Sequence, residues 1–519
     1  MLPIKEHMLF DRFYYYTMSA KVFFVIIFLT FFQLVFSQKH DNVWLFADLA
    51  FRSTSVDFSS GHPEIVAFEA EVDLEGASSS ICGQSGELVL FTNGCNIYDK
   101  YGDIIENGEE INPGDTWDNY CDFDTGYPAV DQSSLFLPWP GDSLKYILFH
   151  RRITFTASGS DPTSPLYYSV ISFEENQQGN VTHKNIILYD ELPHLESGNM
   201  TANKHANGRD WWITNRLRGE AGFLIYLLTP EGVQGPFYDS SAWYEDTNHD
   251  YGSGVECEFS SNGNTYVEHA ARIGSAVYSF DRETGNFIFI DTILLSNTFE
   301  NNISAGIGLS PSGRFAYVSD WLYVYQYDLE ADDIEDSRVL LHTFTNPDSN
   351  IIHPHAVHFQ LGPDCKLYNF MNSGRYIHRI NHPDLPGEAC DFELNAVELP
   401  FPAFRDQPQF PHFRLGPVGD EGSPCVEGPN AIEESVVPTA RLKVYPNPST
   451  GPVRLFLPAG EQPGMWRLYD MQGRPIQETT LSPGQDVRVD MTGELPAGAY
   501  LWQLYRDGRL VEMGKVIRH

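Results

Sequence analysis

SPSGRFAYVSD (310–320), followed by LYVYQYDLEADD (322–333), is the segment from which the architecture is inferred. A tight turn leads into a short apolar and aromatic strand, and a second strand with an alternating pattern follows. Glycine, asparagine or aspartate in such a turn permits the positive φ that the turn requires. β-branched and aromatic residues favour strands. The segment therefore predicts two antiparallel strands joined to the next unit by a turn.

The same pattern recurs along the chain. It is found in GQSGELVLFTNG (83–94), PGDSLKYILFH (140–150), ANGRDWWITN (206–215), SSNGNTYVEHA (260–270) and GPDCKLYNFM (362–371). The turn residues are Gly86, Gly141, Gly208, Gly263, Gly313 and Asp364, which are 55, 67, 55, 50 and 51 residues apart. A repeat near this length with several short strands is typical of a β-propeller blade.

These six units, with a seventh if WLFADLAFRSTSVDF (44–58) closes the ring with strands after 385, predict an all-β propeller of about seven blades. A blade cannot bury both of its faces alone, so blades must pack around an axis. Independent β-sandwiches are the alternative, which is weaker because no linker separates the units.

Residues 1–37 are predicted to be a secretory signal peptide. A lysine precedes an uncharged apolar run over 22–35, and small residues suit a cleavage site between Ser37 and Gln38. The run is shorter than the roughly 20 residues that span a bilayer, which disfavours a membrane anchor. The true start is Met18 or the segment before the apolar run is unusually long.

Charge divides the remaining chain into two regions. Residues 38–440 hold 20 Lys+Arg against 60 Asp+Glu, whereas residues 441–519 hold 10 against 8. The segment 415–440 is rich in Pro, Gly and Glu and is predicted to be a linker, so 38–414 is the predicted propeller. An acidic body argues against binding nucleic acid through its phosphates, because that requires clustered Lys and Arg.

The region 441–519 resembles the C-terminal sorting domain of the type IX secretion system of Bacteroidetes-type bacteria. The motifs that carry the resemblance are Tyr445, Pro446, Asn447 and Pro448, then Gly473, then Gly498 and Tyr500 before a basic terminus. The resemblance implies a small β-sandwich that engages the secretion machinery and directs a Sec-exported protein across the outer membrane. The expected location is therefore the medium or the cell surface, and such domains are often cleaved afterwards.

The body is similar to a group of secreted Bacteroidetes propeller proteins with such tails. The similar segments are WLFADLAFRSTSVDFSSGHPEIV (44–66), ANGRDWWI (206–213), GIGLSPSGRFAYVSD (306–320) and the region 361–393. The Ser-Pro-x-Gly turns of that group are scaffolding, so the resemblance implies no activity. Here Asp364-Cys365 replaces Asp-Gly, which places a bulkier residue at a positive φ or marks a disulfide.

Seven cysteines lie in the exported part of the chain, where disulfides are permitted. The two pairings predicted from proximity in sequence are Cys82 with Cys95 and Cys365 with Cys390. The odd number leaves at least one cysteine unpaired. The chain has no CxxC, so neither a thioredoxin-type redox site nor a zinc ribbon is indicated.

Three segments are weak candidates for metal binding. DTNHDYG offers Asp246, Asn248 and Asp250 at alternating positions, as calcium loops do, and DNYCDFDTG offers Asp118, Asp122 and Asp124. HPHAVH offers His353 and His355, which share one face of a strand. Solvated acidic turns and polar residues at a strand start are the alternative interpretations.

No motif assigns catalysis. The chain lacks a GxSxG elbow, an HExxH and a P-loop, and acidic residues are too common to select a pair of glycosidase carboxylates. The favoured hypothesis is a secreted propeller that acts as a binding or interaction module, with an unknown protein or glycan ligand. A hydrolase or lyase acting on an extracellular polysaccharide and a structural or adhesion component are the alternatives.

The calcium hypothesis predicts that calcium stabilises the body against heat. A ligand that binds only the folded state raises its stability, so excess calcium should raise the thermal midpoint of 38–440 and EDTA should lower it. Differential scanning calorimetry measures both. Equal midpoints would mean that the acidic turns are solvated surface.

Overall fold

A computed structural model describes residues 38–419, Cys425 and 442–518, apart from short gaps. The gaps are 49–51, 71, 75–76, 122–125, 129–131, 157–158, 175–177, 197, 244–254, 271–273, 295–304, 321–322, 345–355, 372–373, 404–407, 448, 458–461, 471–473, 491–494 and 507–508. The chain forms two compact units that divide after Glu427. We call the first unit the body and the second the tail.

The described residues of the body form seven consecutive antiparallel sheets. The first three are β1 (Val43–Ala47), β2 (Ser53–Asp57), β3 (Glu64–Phe68); β4 (Ser79–Cys82), β5 (Leu88–Thr92), β6 (Ile97–Asp99); and β7 (Ser134–Pro138), β8 (Lys145–Thr156), β9 (Gly159–Ser172), β10 (Asn180–Tyr189). The next two are β11 (Thr201–Lys204), β12 (Trp211–Arg216), β13 (Phe223–Thr229), β14 (Gly232–Asp239); and β15 (Val255–Phe259), β16 (Thr265–Ala270), β17 (Gly274–Asp281), β18 (Asn286–Leu294). The last two are β19 (Ala305–Leu309), β20 (Phe315–Asp320), β21 (Tyr323–Asp328), β22 (Val339–Thr343); and β23 (Ala356–Leu361), β24 (Leu367–Met371), β25 (Tyr376–Ile380), β26 (Phe392–Glu398).

Among the described residues of the body, this pattern is interrupted by a short α-helix at Asp115–Tyr120 and a short 3-10 helix at Gly387–Cys390. Within the described residues no helix is long and apolar enough to cross a membrane.

The predicted turns lie where the pattern requires them. Each of the six joins the first strand of a sheet to the second, and the five glycines have positive φ values between 70° and 101°. In the sixth turn Cys365, rather than Asp364, takes the positive φ of 64°. The all-β fold predicted from these turns is confirmed.

Apolar packing joins every sheet to the next. Trp212 and Phe223 of the fourth sheet pack on Phe259 and Tyr266 of the fifth. Equivalent clusters link the first sheet to the second, the second and third to the fourth, the fifth to the sixth, and the sixth to the seventh. Burial between blades is therefore the main stabilising contribution, because it removes both faces of each sheet from water.

The ring closes by packing of the seventh sheet on the first. Trp44 and Phe46 of β1 contact Tyr368 and Phe370 of β24, with the Trp44 and Tyr368 ring centroids 5.2 Å apart. The seven sheets form a β-propeller. The segment 44–58 was expected to share a blade with strands after 385, but it supplies β1 and β2 of a separate first blade.

The cysteine pairings differ from both predictions. Cys95 pairs with Cys121 and Cys365 pairs with Cys425, with Cα atoms 5.7 and 5.2 Å apart. Cys82–Cys95 was wrong because Cys82 is opposite Leu88, the first residue of β5, whereas Cys95 follows the last residue of that strand, Thr92. A disulfide requires Cα atoms within about 7 Å.

The predicted pairing Cys365–Cys390 was wrong because Cys390 packs toward the neighbouring blade. Cys390 is buried among Phe315, Tyr317 and Val324 of the sixth sheet. Cys365 instead receives Cys425, which lies beyond the last blade in the sequence.

The tail is a small β-sandwich. Its strands are β27 (Lys443–Tyr445), β28 (Val453–Phe456), β29 (Gly464–Tyr469), β30 (Pro475–Leu481), β31 (Asp486–Val489), β32 (Gly498–Arg506) and β33 (Arg509–Arg518). The sheets have the orders β27-β28-β31 and β30-β29-β32-β33. Leu455 of the smaller sheet and Trp466, Trp502 and Leu504 of the larger share one core.

We predict that Trp44→Ala destabilises the body by about 3–5 kcal/mol, because truncating a buried tryptophan leaves a cavity where the ring closes. Trp44 is 1% exposed. Urea unfolding of the full chain measures the change. Val66→Ala is the matched control, because Val66 of β3 is 42% exposed and should change stability by less than about 0.5 kcal/mol. Similar effects of both substitutions would contradict closure through Trp44.

Candidate functional site

The first strand of each sheet lies nearest the axis of the propeller. β4 contacts β1 and β7, and β15 contacts β11 and β19, which in turn contacts β23. Such strands have one edge that no fifth strand pairs, so their backbone N–H and C=O groups need other partners. The space they enclose is the central channel.

The chain itself enters this channel after the last blade. The segment 408–416, which we call the plug, is held by side chains of β23: His358 Nε2 lies 2.9 Å from the Pro408 carbonyl oxygen, and Gln360 Oε1 accepts the Phe410 N–H at 2.8 Å. Phe413 is buried against Trp211 on the far side of the ring. The plug therefore bonds to the seventh blade and packs on the fourth.

Gln132, which precedes β7, connects three blades and the plug. Its Nε2 donates to the Cys257 carbonyl at 2.7 Å, and its Oε1 accepts the N–H groups of Cys257 and Asn199 at 3.0 and 3.1 Å. Its own backbone N–H donates to Gln409 Oε1 at 2.5 Å. One buried side chain thus links the third, fourth and fifth blades.

Two glutamates on β15 link the fifth blade to the sixth. Glu256 and Glu258 accept the backbone N–H groups of Ile307 and Leu309 on β19 at 3.3 and 2.9 Å. Glu256 Oε1 also lies 2.7 Å from His358 Nδ1. Because alternate residues of a strand share a face, the two carboxyl groups point the same way.

Burial shifts the pKa values of Glu258 and of His412, which lies beside it. It raises the pKa of Glu258 from 4.5 to about 8, opposed by the hydrogen bond from the Leu309 N–H. Nε2 of His412 in the plug lies 3.8 Å from Glu258 Oε1 and donates to the Phe259 carbonyl oxygen at 2.7 Å. Burial lowers the pKa of His412. Near neutral pH the pair is therefore held as neutral groups, which suits a site shielded from water.

The two ends of the body meet at the same channel. Arg414 of the plug forms an ion pair with Asp41 at 2.5 Å. Lys204 donates to Gln38 Oε1 at 2.9 Å and lies 4.2 Å above the Trp211 ring. Burial lowers the pKa of Lys204 to about 7. The segment predicted to follow the signal peptide is therefore anchored in the propeller.

A small cavity remains beside the plug. It measures about 20 Å³ and is lined by residues including Gln132, Ser134, Cys257, Glu258 and Gln409. That volume holds about one water molecule.

Most of the predicted metal ligands lie outside the described residues. These are Asp246, Asn248, Asp250, Asp122, Asp124, His353 and His355. Asp118 is described and lies exposed on the Asp115–Tyr120 helix. In the described part of the chain no three His, Cys, Asp or Glu side chains are grouped as metal ligands, so calcium binding stays a prediction. Trp211 and Trp212 are buried between blades.

Asn447, one of the residues that carry the resemblance to the sorting domain, hydrogen-bonds the segment after the first strand of the tail to the last strand. Asn447 Nδ2 donates to the Lys515 carbonyl at 2.7 Å, and Asn447 Oδ1 accepts the Ile517 N–H at 2.8 Å. Tyr445 donates to Asp486 at 3.1 Å. Tyr500 is buried and donates to the Pro496 carbonyl.

The other motif residues are placed more simply. Pro446 follows β27 and Gly498 begins β32 with an extended backbone. Pro448 and Gly473 lie outside the described residues.

Residues 443–518 match the family model described as a secretion system C-terminal sorting domain. The tail is a type IX secretion sorting domain. The chain is therefore exported by that system to the cell surface or the extracellular space, and the tail interacts with the secretion machinery. No match was found among curated protein sequences.

The chain is similar, at low sequence identity, to several solved structures. A periplasmic gluconolactonase from Pseudomonas aeruginosa is 14% identical, with a TM-score of 0.31, and the match covers 52% of this chain and 84% of that one. A functionally unknown protein from Desulfotomaculum acetoxidans is 10% identical, with a TM-score of 0.33, over 69% of this chain and 96% of that one.

The plug and the glutamate pair were not predicted from the sequence. The plug contains PQFPHFR (408–414), which has two prolines and no strand periodicity. The alternating glutamates of VECEF (255–259) were a visible signal for one shared face. The large number of acidic residues in the body concealed that signal.

We predict that Glu258 makes the body less stable as pH rises. Its pKa is higher in the folded chain, about 8, than the ordinary 4.5, so the folded state binds the proton more tightly. Its contribution is therefore most favourable at low pH and is lost between about pH 4.5 and 8, with a limiting slope of about 1.4 kcal/mol per pH unit. Glu258→Gln should gain stability relative to wild type from pH 5 to pH 8 in urea unfolding.

The control for this prediction is Glu231→Gln, at an exposed position between β13 and β14. Glu231→Gln also removes one carboxyl group from the body, so it gives the effect of that loss at an exposed position. A pH-independent difference for Glu258→Gln would show that Glu258 does not titrate in this way.

We predict that Asn447→Ala weakens the attachment of β33, because two hydrogen bonds are lost and each contributes about 0.5–1.5 kcal/mol. Asn447→Asp keeps the acceptor for Ile517 and should lose about half as much. Hydrogen exchange of peptides from β33 in the full chain measures the loss, about tenfold in protection for each 1.4 kcal/mol. Unchanged protection in Asn447→Ala would contradict the proposal that the Asn447 hydrogen bonds hold β33 in place.

Proposed function

We propose that the exported body is a binding or interaction module without catalysis, and that the mature chain begins at Gln38. The ligand would be an extracellular protein or glycan held by loops at the ends of the blades, because propellers present their loops around the axis and binding residues concentrate on loops. Export to the cell surface or medium is consistent with such a ligand.

The observation that carries this proposal is that the plug occupies the central channel. Its backbone is bonded by His358 and Gln360, and its Gln409 side chain accepts the N–H of Gln132. A substrate in the same part of the channel would have to displace these groups.

The polar groups of the channel also have structural partners. Glu256 and Glu258 each accept a backbone N–H of β19, and the carboxyl groups that a polysaccharide hydrolase would require are thereby engaged in joining two blades. This arrangement favours a structural role for the two glutamates. It weakens the alternative of a hydrolase or lyase that uses them.

The test compares binding with turnover on a panel of extracellular polysaccharides. We expect saturable binding to one class of polymer or to a protein, with no release of reducing ends or unsaturated products. Glu256→Gln and Glu258→Gln should bind as the wild type does once equal amounts of folded protein are compared. Turnover that either substitution abolishes would establish catalysis in the channel and overturn the proposal.

A further inference from the structure

The larger sheet of the tail has an unusual outer face. Alternate residues of β29 and β32 enter the core, among them Trp466, Leu468, Trp502 and Leu504. The opposite face of a half-buried antiparallel sheet is normally polar. Here the outward residues are Met465, Arg467, Tyr469, Leu501, Gln503 and Tyr505, which we call the outer face.

The strand register brings these side chains together. Met465 is opposite Tyr505, Arg467 is opposite Gln503, and Tyr469 is opposite Leu501. Residues directly opposite on one face are close enough for their side chains to interact. The outer face is therefore continuous across the two central strands.

Contacts within the outer face hold its side chains in place. The Arg467 guanidinium carbon lies 5.1 Å from the Tyr505 ring centroid, and Arg467 Nε lies 3.2 Å from Glu478 Oε2 on β30. The Tyr505 hydroxyl donates to Gln503 at 2.7 Å. A surface that is already ordered loses less conformational entropy on binding.

Composition and exposure indicate a protein partner. Tyrosine, methionine and arginine are enriched in interface cores, and tyrosine and arginine are frequent at positions that dominate binding energy. Met465 is 38% exposed and the Arg467 side chain is 39% exposed. Arginine carries five donors, so Arg467 can bind a partner's carboxylate while it keeps Glu478.

We propose that the outer face is the surface through which the tail docks on a component of the secretion machinery, one that presents a carboxylate flanked by apolar side chains. The match of 443–518 to the sorting domain supplies the class of partner. The guanidinium of Arg467 and the apolar groups beside it supply the complementary chemistry. The inference depends on the export role of the tail and is independent of what the body binds.

The smaller sheet provides a matched control surface. Its exposed outward residues include Lys443, Arg454 and Arg488. Arg488 occupies a strand position comparable to that of Arg467 but lies on the opposite side of the sandwich. A charge reversal there changes net charge equally without touching the outer face.

The first experiment measures export of full-length variants in a bacterium that has the type IX system. Arg467→Glu should reduce the amount in the medium and on the surface at least tenfold, with accumulation in the periplasm, whereas Arg488→Glu should be exported normally. Thermal unfolding of the purified variants checks folding. If Arg467→Glu does not fold, Arg467→Gln removes the positive charge without reversing it and should still reduce export several-fold. Normal export of the folded Arg467 variant, or equal loss in both charge reversals, overturns the proposal.

The second experiment identifies the occupant of the outer face. A photo-reactive phenylalanine derivative replaces Met465 in the full chain, and Arg488 in a parallel chain. Covalent coupling from position 465 to an outer-membrane component of the secretion machinery is expected, without the same adduct from position 488. Coupling to the chain's own body, to a second copy, or to nothing during normal export would overturn the proposal.

Discussion

A propeller must join its last blade to its first, because each sheet leaves two faces that only neighbouring blades can cover. A ring of sheets can close when one sheet combines strands from both ends of the chain. In this body each of the seven described sheets is formed from consecutive strands instead. Closure depends instead on Trp44 and Phe46 packing against the seventh blade. It is reinforced where the ends of the body meet in the channel, through Arg414 and Asp41.

The chemistry of the channel follows from this form of closure. Inner strands have unpaired backbone edges that cost free energy if they are buried without partners. Glu256, Glu258, His358 and Gln360 supply partners between blades and to the plug. Burial of these groups raises the pKa of Glu258, so a perturbed titration here accompanies structural bonding and does not by itself indicate catalysis.

The fold was largely predictable because its signals are local, whereas the site was not because its contacts are distant in sequence. Glycine turns such as Gly263 and Gly313 encode strand pairs a few residues apart. The disulfide between Cys365 and Cys425 and the contact between Gln132 and Gln409 join residues with no shared local pattern. The linker was predicted to begin at residue 415. The Val418 N–H, however, donates to the Ala206 carbonyl at 2.8 Å, so the start of this segment is bonded to the body.

The most direct test of this account is hydrogen exchange of the intact chain compared with a variant carrying Gln409→Gly and Phe410→Gly. If the plug stabilises the inner strands, protection should fall in β7, β15 and β23 as well as in 408–416, since Gln132 and Gln360 bond to the plug and His412 of the plug lies 3.8 Å from Glu258. Loss of protection confined to 408–416 would contradict the account. It would show that the plug does not stabilise the inner strands to which it bonds.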